Sequence, residues 1–562
     1  MRKPISSVAL IGAGLSLVAL GAAPLAAGGA TAAASAHNRS TASPIKHLVV
    51  IFQENVSFDH YFGTYPNATN TSGQPFTPAP HTKQVNGLTQ ELLTDNPNGA
   101  NPRRLDPANV DDVLTCSQDH RYTEEQSAFD LGKMDQFVAD TGTGTGTSPT
   151  GKLCEATDVM NYYDGNTVTG LWNYAQHFAM SDNSFGSTFG PSTPGAINLA
   201  SGDTGGVTRA IRGGANDVVA DGRGGFSLIT DAQPFYDDCS TRDAAVLGGT
   251  NIGDQLNAAS RSWGFFQGGF RPDAPYTGTT DSTLSYDPQF SGQVKVKCNT
   301  NARHHVGAAL GGTGQWGDRG DYIPHHQPFQ YYASTANPHH LAPASLAAIG
   351  TDTRTLGLFD TANHQYDMSD FDALVAAIQG GTLPASALPA VSFLKASAYQ
   401  DGHAGYSDPL DEQNFVVSEI NALEALPTWS STAVIVAYDD SDGWYDHVYS
   451  GVHNPSQTAI DTLTGPGECG QGRPLAGQQG RCGYGPRLPL LVISPWARAN
   501  YVSHTLTDQS SIVKFVEDNW GLGRIRGSFA NIAGSLAPMF NFHHVAGRNP
   551  ALYLDPATGQ PL

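Results

Sequence analysis

The chain has 562 residues, and its 39% hydrophobic and 14% charged content can fill a core and excludes a charge-swollen disordered protein. With 30 Lys+Arg against 51 Asp+Glu the formal net charge is −21, a field that repels phosphate backbones and excludes a general nucleic-acid binder. Its 63 Gly and 35 Pro, roughly a sixth of the residues, demand many turns and long ordered loops around a scaffold.

In chain order, Arg2 and Lys3 precede an apolar, small-residue run over 8–27, and Ala34-Ser35-Ala36 follows as a small-x-small pattern. Residues 1–36 are therefore predicted to be an export signal cleaved near Ala36, leaving 37–562 as a secreted, single catalytic domain. No other window reaches the roughly 18 consecutive apolar residues of a membrane span. Buried strands are predicted at 45–52, 391–394, 432–438 and 488–493. Helical patterns separate them: Ser369 can cap one that runs to Gly380-Gly381, and others cover 411–426 and 508–520. This alternation predicts an α/β fold with a mostly parallel sheet covered by helices on both faces. The stretch from about 203 to 333 is rich in Gly, Asp and aromatics without clear period, and reads as a loop-rich insertion over the sheet. All six cysteines lie beyond the leader, an even count that favours disulfides. Of the 15 connectivities six cysteines allow, pairing neighbours (Cys116 with Cys154, Cys239 with Cys298, Cys469 with Cys482) closes the shortest loops.

Two predicted strands end in oxygen ligands: Gln53-Glu54-Asn55 after the first, and Asp439-Asp440-Ser441-Asp442-Gly443 after 432–438. Ligands bind beyond the carboxyl ends of parallel strands, so both clusters should face one crevice. Carboxylates plus an amide oxygen suit one hard or borderline divalent cation, such as calcium, although either cluster alone is also ordinary turn chemistry. Between them, Phe189-Gly190-Pro191-Ser192-Thr193-Pro194-Gly195 is a tight turn feeding a helix through Ala200. A hydroxyl there is a nucleophile candidate, and the helix N-terminus would attract a phosphoryl group. Ser before Pro is also a common N-cap, and the GxSxG spacing is absent. Nineteen histidines supply the remaining acid–base chemistry, with His120, His325-His326, His339-His340, His403, His447, His504 and His543-His544 beside turns or in pairs.

Together these segments resemble a known family. Glu54-Asn55-Val56-Ser57-Phe58-Asp59-His60-Tyr61-Phe62-Gly63 is similar to the ENRSFDHYFG opening of the bacterial phosphoesterases, which include phosphatidylcholine-hydrolysing phospholipases C and a secreted acid phosphatase. The segment from Tyr438 to Val448 resembles the YDENDGFFDHV signature. Gly190-Pro191-Ser192-Thr193-Pro194 resembles the GPTxPNR turn, and the segment from Gly485 to Pro495 resembles GxRVPxLxISP. Val56 departs from the usual Arg, and Gly195-Ala196 from Asn-Arg.

The resemblance implies an alkaline-phosphatase-like α/β fold. It implies Glu54, Asn55, Asp439 and Asp440 as metal ligands, with Ser192 as nucleophile and fifth ligand. His120, His325, His326 and His403 become the phosphate-holding and leaving-group histidines. The implied activity is a phospholipase C that cleaves phosphatidylcholine to diacylglycerol and phosphocholine through a phosphoserine. A broad acid phosphatase is the alternative, and a non-catalytic secreted binding protein is the alternative of another class. A phospholipid or other phosphate ester is the expected partner, with transient contact at a membrane surface. A phospholipase needs an apolar approach to the pocket, which Phe235, Tyr236, Phe265, Phe266, Phe270, Tyr331 and Tyr332 could supply, or a choline-sized cationic subsite, although ordinary core packing is the commoner role for such residues. The stretch after the catalytic motifs is expected to be too short for the paired C-terminal β domains of some longer phospholipases of the family, so membrane-lytic activity is not implied.

Overall fold

Leu48, Val49, Val50 and Ile51 are apolar at successive positions, a pattern that suits a strand covered on both faces. In the computed structural model they lie within His47–Gln53 (β1), near the middle of an eight-stranded sheet. The structure describes residues 41–211, 217–274, 296, 298, 320–352, 361–543 and 549–562. The predicted leader and His544 lie outside them. The other strands of this sheet are Ala179–Ser181 (β2), Trp263–Gln267 (β3), Gln365–Asp367 (β4), Val391–Lys395 (β5), Thr432–Tyr438 (β6), Leu490–Ile493 (β7) and Tyr501–Ser503 (β8). Their spatial order is β4-β3-β5-β1-β6-β7-β2-β8. β1 pairs in parallel with β5 on one side and β6 on the other.

The α/β expectation is met, with one reversal. β7 runs antiparallel to both neighbours. Leu490 pairs with Ala437, so the chain re-enters the sheet at the end where β6 left it. β7 is also shorter than the predicted 488–493, because Leu488 N–H is given to Ser184 O and Pro489 has no N–H to offer.

The helices named below are Phe58–Phe62 (α1), Tyr122–Phe129 (α2), Thr169–His177 (α3), Ser192–Ala200 (α4), Ile252–Ala258 (α5), Met368–Gln379 (α6), Pro409–Glu424 (α7) and Ser510–Trp520 (α8). Two predicted starts shift for one reason. Asp367, not Ser369, caps α6 by accepting Ser369 N–H, and Asp370 closes a capping box on it. Asp408 likewise accepts from Leu410 and Asp411, so α7 begins before Asp411. The stripe Phe415, Val416, Ile420 and Leu423 of α7 is buried in the main core, as its spacing predicts.

The segment read as an insertion divides in two. Val207–Ile211, Val218–Ala220, Phe226–Leu228, Gln233–Pro234 and Ala244–Leu247 form a separate five-stranded sheet. After α5, however, Trp263–Gln267 docks into the main sheet as β3, with all five residues buried. Five residues are too few to show a period, which is why the run escaped the sequence reading. The disulfides are Cys116–Cys154, Cys239–Cys298 and Cys469–Cys482, the neighbour pairing.

Candidate active site

Three adjacent parallel strands end at one place. β5 finishes on Lys395, β1 runs into Glu54 and Asn55, and β6 into Asp439 and Asp440. α4 meets them from across the crevice, and every one of its nine residues is buried. Gly195 permits the approach: a Cβ there would lie 2.2 Å from the Asp439 carbonyl oxygen. Ser192, in the first turn of α4, therefore reaches the strand ends. Its Oγ–H donates to Glu54 Oε2 at 3.0 Å, with Asp440 Oδ2 at 3.2 Å and Asn55 Oδ1 at 3.4 Å. Asn55 adopts φ 47°, a left-handed conformation that asparagine tolerates better than most residues.

Asp439 plays a different part. Its Oδ1 accepts the N–H groups of Asn55 and Asp440, so it braces both turns, while its buried Oδ2 has no hydrogen-bond partner among the described residues. Burial, reinforced by the Asp439 charge, pushes the Glu54 and Asp440 carboxyls well above the usual range. Crowded carboxylates, one unpaired carboxylate oxygen, an amide oxygen and a hydroxyl fit a hard divalent cation. Glu54, Asn55, Asp439, Asp440 and Ser192 are the residues that would hold it.

The four histidines named from sequence flank this cluster. His326 Nδ1 lies 3.2 Å from Glu54 Oε1 and 3.9 Å from Asp401 Oδ2. The His325 ring packs on His326, and its Nε2 is 3.9 Å from Asp231 Oδ2. His120 Nδ1 meets Gln118 O at 2.9 Å and Asp442 Oδ1 at 3.2 Å, and its ring centroid is 6.0 Å from that of His403. Burial lowers the pKa of His325 to about 4 and also lowers those of His326 and His403. Burial opposes the charge on His120 too, but Asp440 and Asp442 outweigh it and push its pKa well above the ordinary imidazole value. A cavity of about 520 Å³ opens beside Pro191, lined by His120, Asp231, Asp217, Arg242 and Arg121 among others.

Two expectations change here. The N–H of Thr193 at the start of α4 is already bonded to Asp231 Oδ1 at 3.0 Å, so a phosphoryl group arriving at this helix end meets one donor already taken by a carboxylate. None of the seven aromatics expected to form an apolar approach lines the cavity. Phe265 and Phe266 belong to β3, and Phe270 stacks on His340. Tyr331 reaches α4, with its hydroxyl 3.4 Å from Thr193 Oγ1.

Several contributors had no motif to mark them. Asp231, Asp401 and Arg242 sit in aperiodic loops, and Lys395 is the one charged residue in an apolar strand, which was its available signal. Glu125, on α2, accepts Gly190 N–H with one oxygen and the Ser441 hydroxyl with the other, tying the nucleophile turn to the acidic turn. Asp59, Asp446 and His447 lie in the quoted motifs but do not touch Ser192. The buried Arg487 guanidinium joins Asp59 and Asp446 and covers the Phe58 ring at 4.2 Å, locking three motifs together behind the site.

Residues 45–523 match the Phosphoesterase family. The non-hemolytic phospholipase C of Burkholderia pseudomallei is 24% identical over 536 residues, covering 92% of this chain and 62% of that protein. The non-hemolytic phospholipase C of Pseudomonas aeruginosa is 23% identical over 528 residues, covering 91% and 60%. The chain thus spans about three-fifths of the length of these curated relatives. Among solved structures, murine ectonucleotide pyrophosphatase/phosphodiesterase 5 gives a TM-score of 0.29 at 11% identity, covering 66% of this chain and 95% of that one. An alkaline phosphatase superfamily protein from Vibrio parahaemolyticus gives 0.26 at 10%, covering 64% of each. Scores of that size carry no argument about the fold. The extent of the family match does decide membership: this chain belongs to the Phosphoesterase family.

Proposed function

We propose that the chain is an exported, metal-dependent phosphoric ester hydrolase of phospholipase C type, cleaving phosphatidylcholine to diacylglycerol and phosphocholine. The observation that carries this reading is the Ser192 hydroxyl set 3.0 Å from Glu54 and 3.2 Å from Asp440, with His120 on the adjoining cavity. A bound divalent cation would supply charge neutralisation at the phosphate and favour ionised Ser192. Ser192 Oγ passes its proton toward Glu54 Oε2 and attacks phosphorus, and the bond from phosphorus to the alcohol oxygen breaks. His120, held by Asp442, gives the leaving oxygen its proton. His120 then takes a proton from water as the water oxygen bonds to phosphorus and the bond from phosphorus to Ser192 Oγ breaks; Oγ recovers its proton from Glu54 and phosphocholine leaves. With Thr193 N–H taken by Asp231, the phosphate oxygens fall to His120 and the other three histidines.

The export reading is supported by three disulfides, which persist in oxidising compartments. No helix of the described residues is long and apolar enough to cross a membrane. One observation favours a second reading, a broad phosphomonoesterase: the charged side chains His120, Arg121, Asp217, Asp231 and Arg242 that line the cavity beside Pro191.

The test compares wild type with Ser192→Ala on a chromogenic phosphocholine ester and on a simple chromogenic monoester. Faster wild-type hydrolysis of the diester is expected, with a loss on the order of 10³-fold or more in the variant. Wild-type rates in Ser192→Ala overturn the nucleophile. A monoester preference selects the phosphatase, and no turnover with any divalent cation selects a binding protein.

A further inference from the structure

Lys395 takes no part in the scheme above, yet it sits inside the carboxylate cluster. Its side chain is only 1% exposed and its ammonium donates to Glu54 Oε1. His326 Nδ1 shares that oxygen at 3.2 Å and faces Asp401 Oδ2 at 3.9 Å. Glu54, His326 and Asp401 thus present three ligand atoms within 4.8 Å of one another, a donor set that suits a divalent cation. Glu54 belongs to two such sets at once, because its Oε2 serves the Ser192 side and its Oε1 serves this triad. A carboxylate shared in this way is what a two-metal centre uses to bridge ions about 3.5–4 Å apart.

We propose that Lys395 fills the second position itself, its ammonium standing in for a second metal ion, so that the centre takes one divalent cation on the Ser192 side. The lysine claims the oxygen that a second ion would need. Its positive charge, tethered to a core strand, also repels any dication approaching the triad. The attraction it feels comes from Glu54, Asp401 and Asp439, so its charge is matched to both halves of the cluster. The inference rests on the reading that Glu54, Asn55, Asp439, Asp440 and Ser192 hold an ion.

Manganese separates the cases, because its bound stoichiometry can be counted and a close pair of ions gives a spin-coupled electron paramagnetic resonance spectrum. Metal-free wild type, Lys395→Met and Lys395→Arg are titrated with Mn2+, and folding is checked by circular dichroism. One uncoupled ion is expected in wild type and in Lys395→Arg, and two coupled ions in Lys395→Met. Two ions in wild type, or one in folded Lys395→Met, overturn the proposal while leaving the single-ion reading intact. No ion in wild type rejects both. If Lys395→Met folds only when expressed with Mn2+, two bound ions still support the substitution of one cation for another; failure to fold even then counts against it.

Discussion

Gly195→Ala tests the geometry without touching any reacting group. The added Cβ would lie 2.2 Å from the Asp439 carbonyl oxygen, 2.7 Å from its carbon and 3.0 Å from Cα, whereas ordinary contact begins at 3.4 Å. The obstructing atoms are backbone, so α4 and the end of β6 must part by about 1 Å, at an overpacking cost of about 1–3 kcal/mol. Ser192 lies one turn earlier on the same helix and moves with it. Its contacts to Glu54 and Asp440, now 3.0 and 3.2 Å, stretch to non-bonded separation. A misplacement of that size at a reacting group costs on the order of 10²-fold in rate. The assay is kcat/KM on a chromogenic phosphate ester beside the urea midpoint of the same preparation. Gly380→Ala is the control, since Gly380 has ordinary φ and its nearest neighbour stands 3.2 Å away. A folded Gly195→Ala enzyme within about threefold of wild type would refute the claim that the α4 to β6 approach sets the nucleophile.

Two further outcomes concern stability. Burial raises the Glu412 carboxyl, which accepts from Tyr61 and Tyr438, to about 8. Below its ordinary value of 4.5 both folded and unfolded chains are protonated there; between 4.5 and about 8 only the folded chain keeps the proton, so stability falls as pH rises through that window. Glu412→Gln is expected to flatten the decline in urea midpoint from about pH 5 to about pH 8, and an unchanged slope would count against it. The Cys239–Cys298 bridge spans a sequence separation of 59, for which loop entropy gives up to about 4 kcal/mol. Replacing both cysteines by alanine should lower the unfolding free energy by that much or less, and a more stable variant would contradict the entropic account.

The elements legible in the sequence were those with a long apolar run or a quoted motif. Thr432–Tyr438 matched its reading residue for residue because seven buried positions leave no choice of face. Glu54, Asn55, Asp440 and Ser192 could be gathered from residues 54 to 440 because strand ends and a helix start are fixed points of an α/β fold. Asp231 and Asp401 could not, since nothing in a loop sequence says which backbone or side chain it will meet. Phe265 and Phe266 left two readings open, a core and a pocket wall, because aromatic content marks burial equally well in both, and they lie in the core of β3. Ser369 is not the cap of α6 because the helix starts earlier, with Asp367 accepting the N–H of Ser369 itself.

The Asp231 carboxylate on Thr193 N–H has a kinetic side. It places a negative charge at that end of α4 and so partly offsets the positive charge the helix start would offer an anion. An arriving anion then depends more on His120, whose pKa is raised, than on His325, His326 and His403, whose pKa values burial lowers.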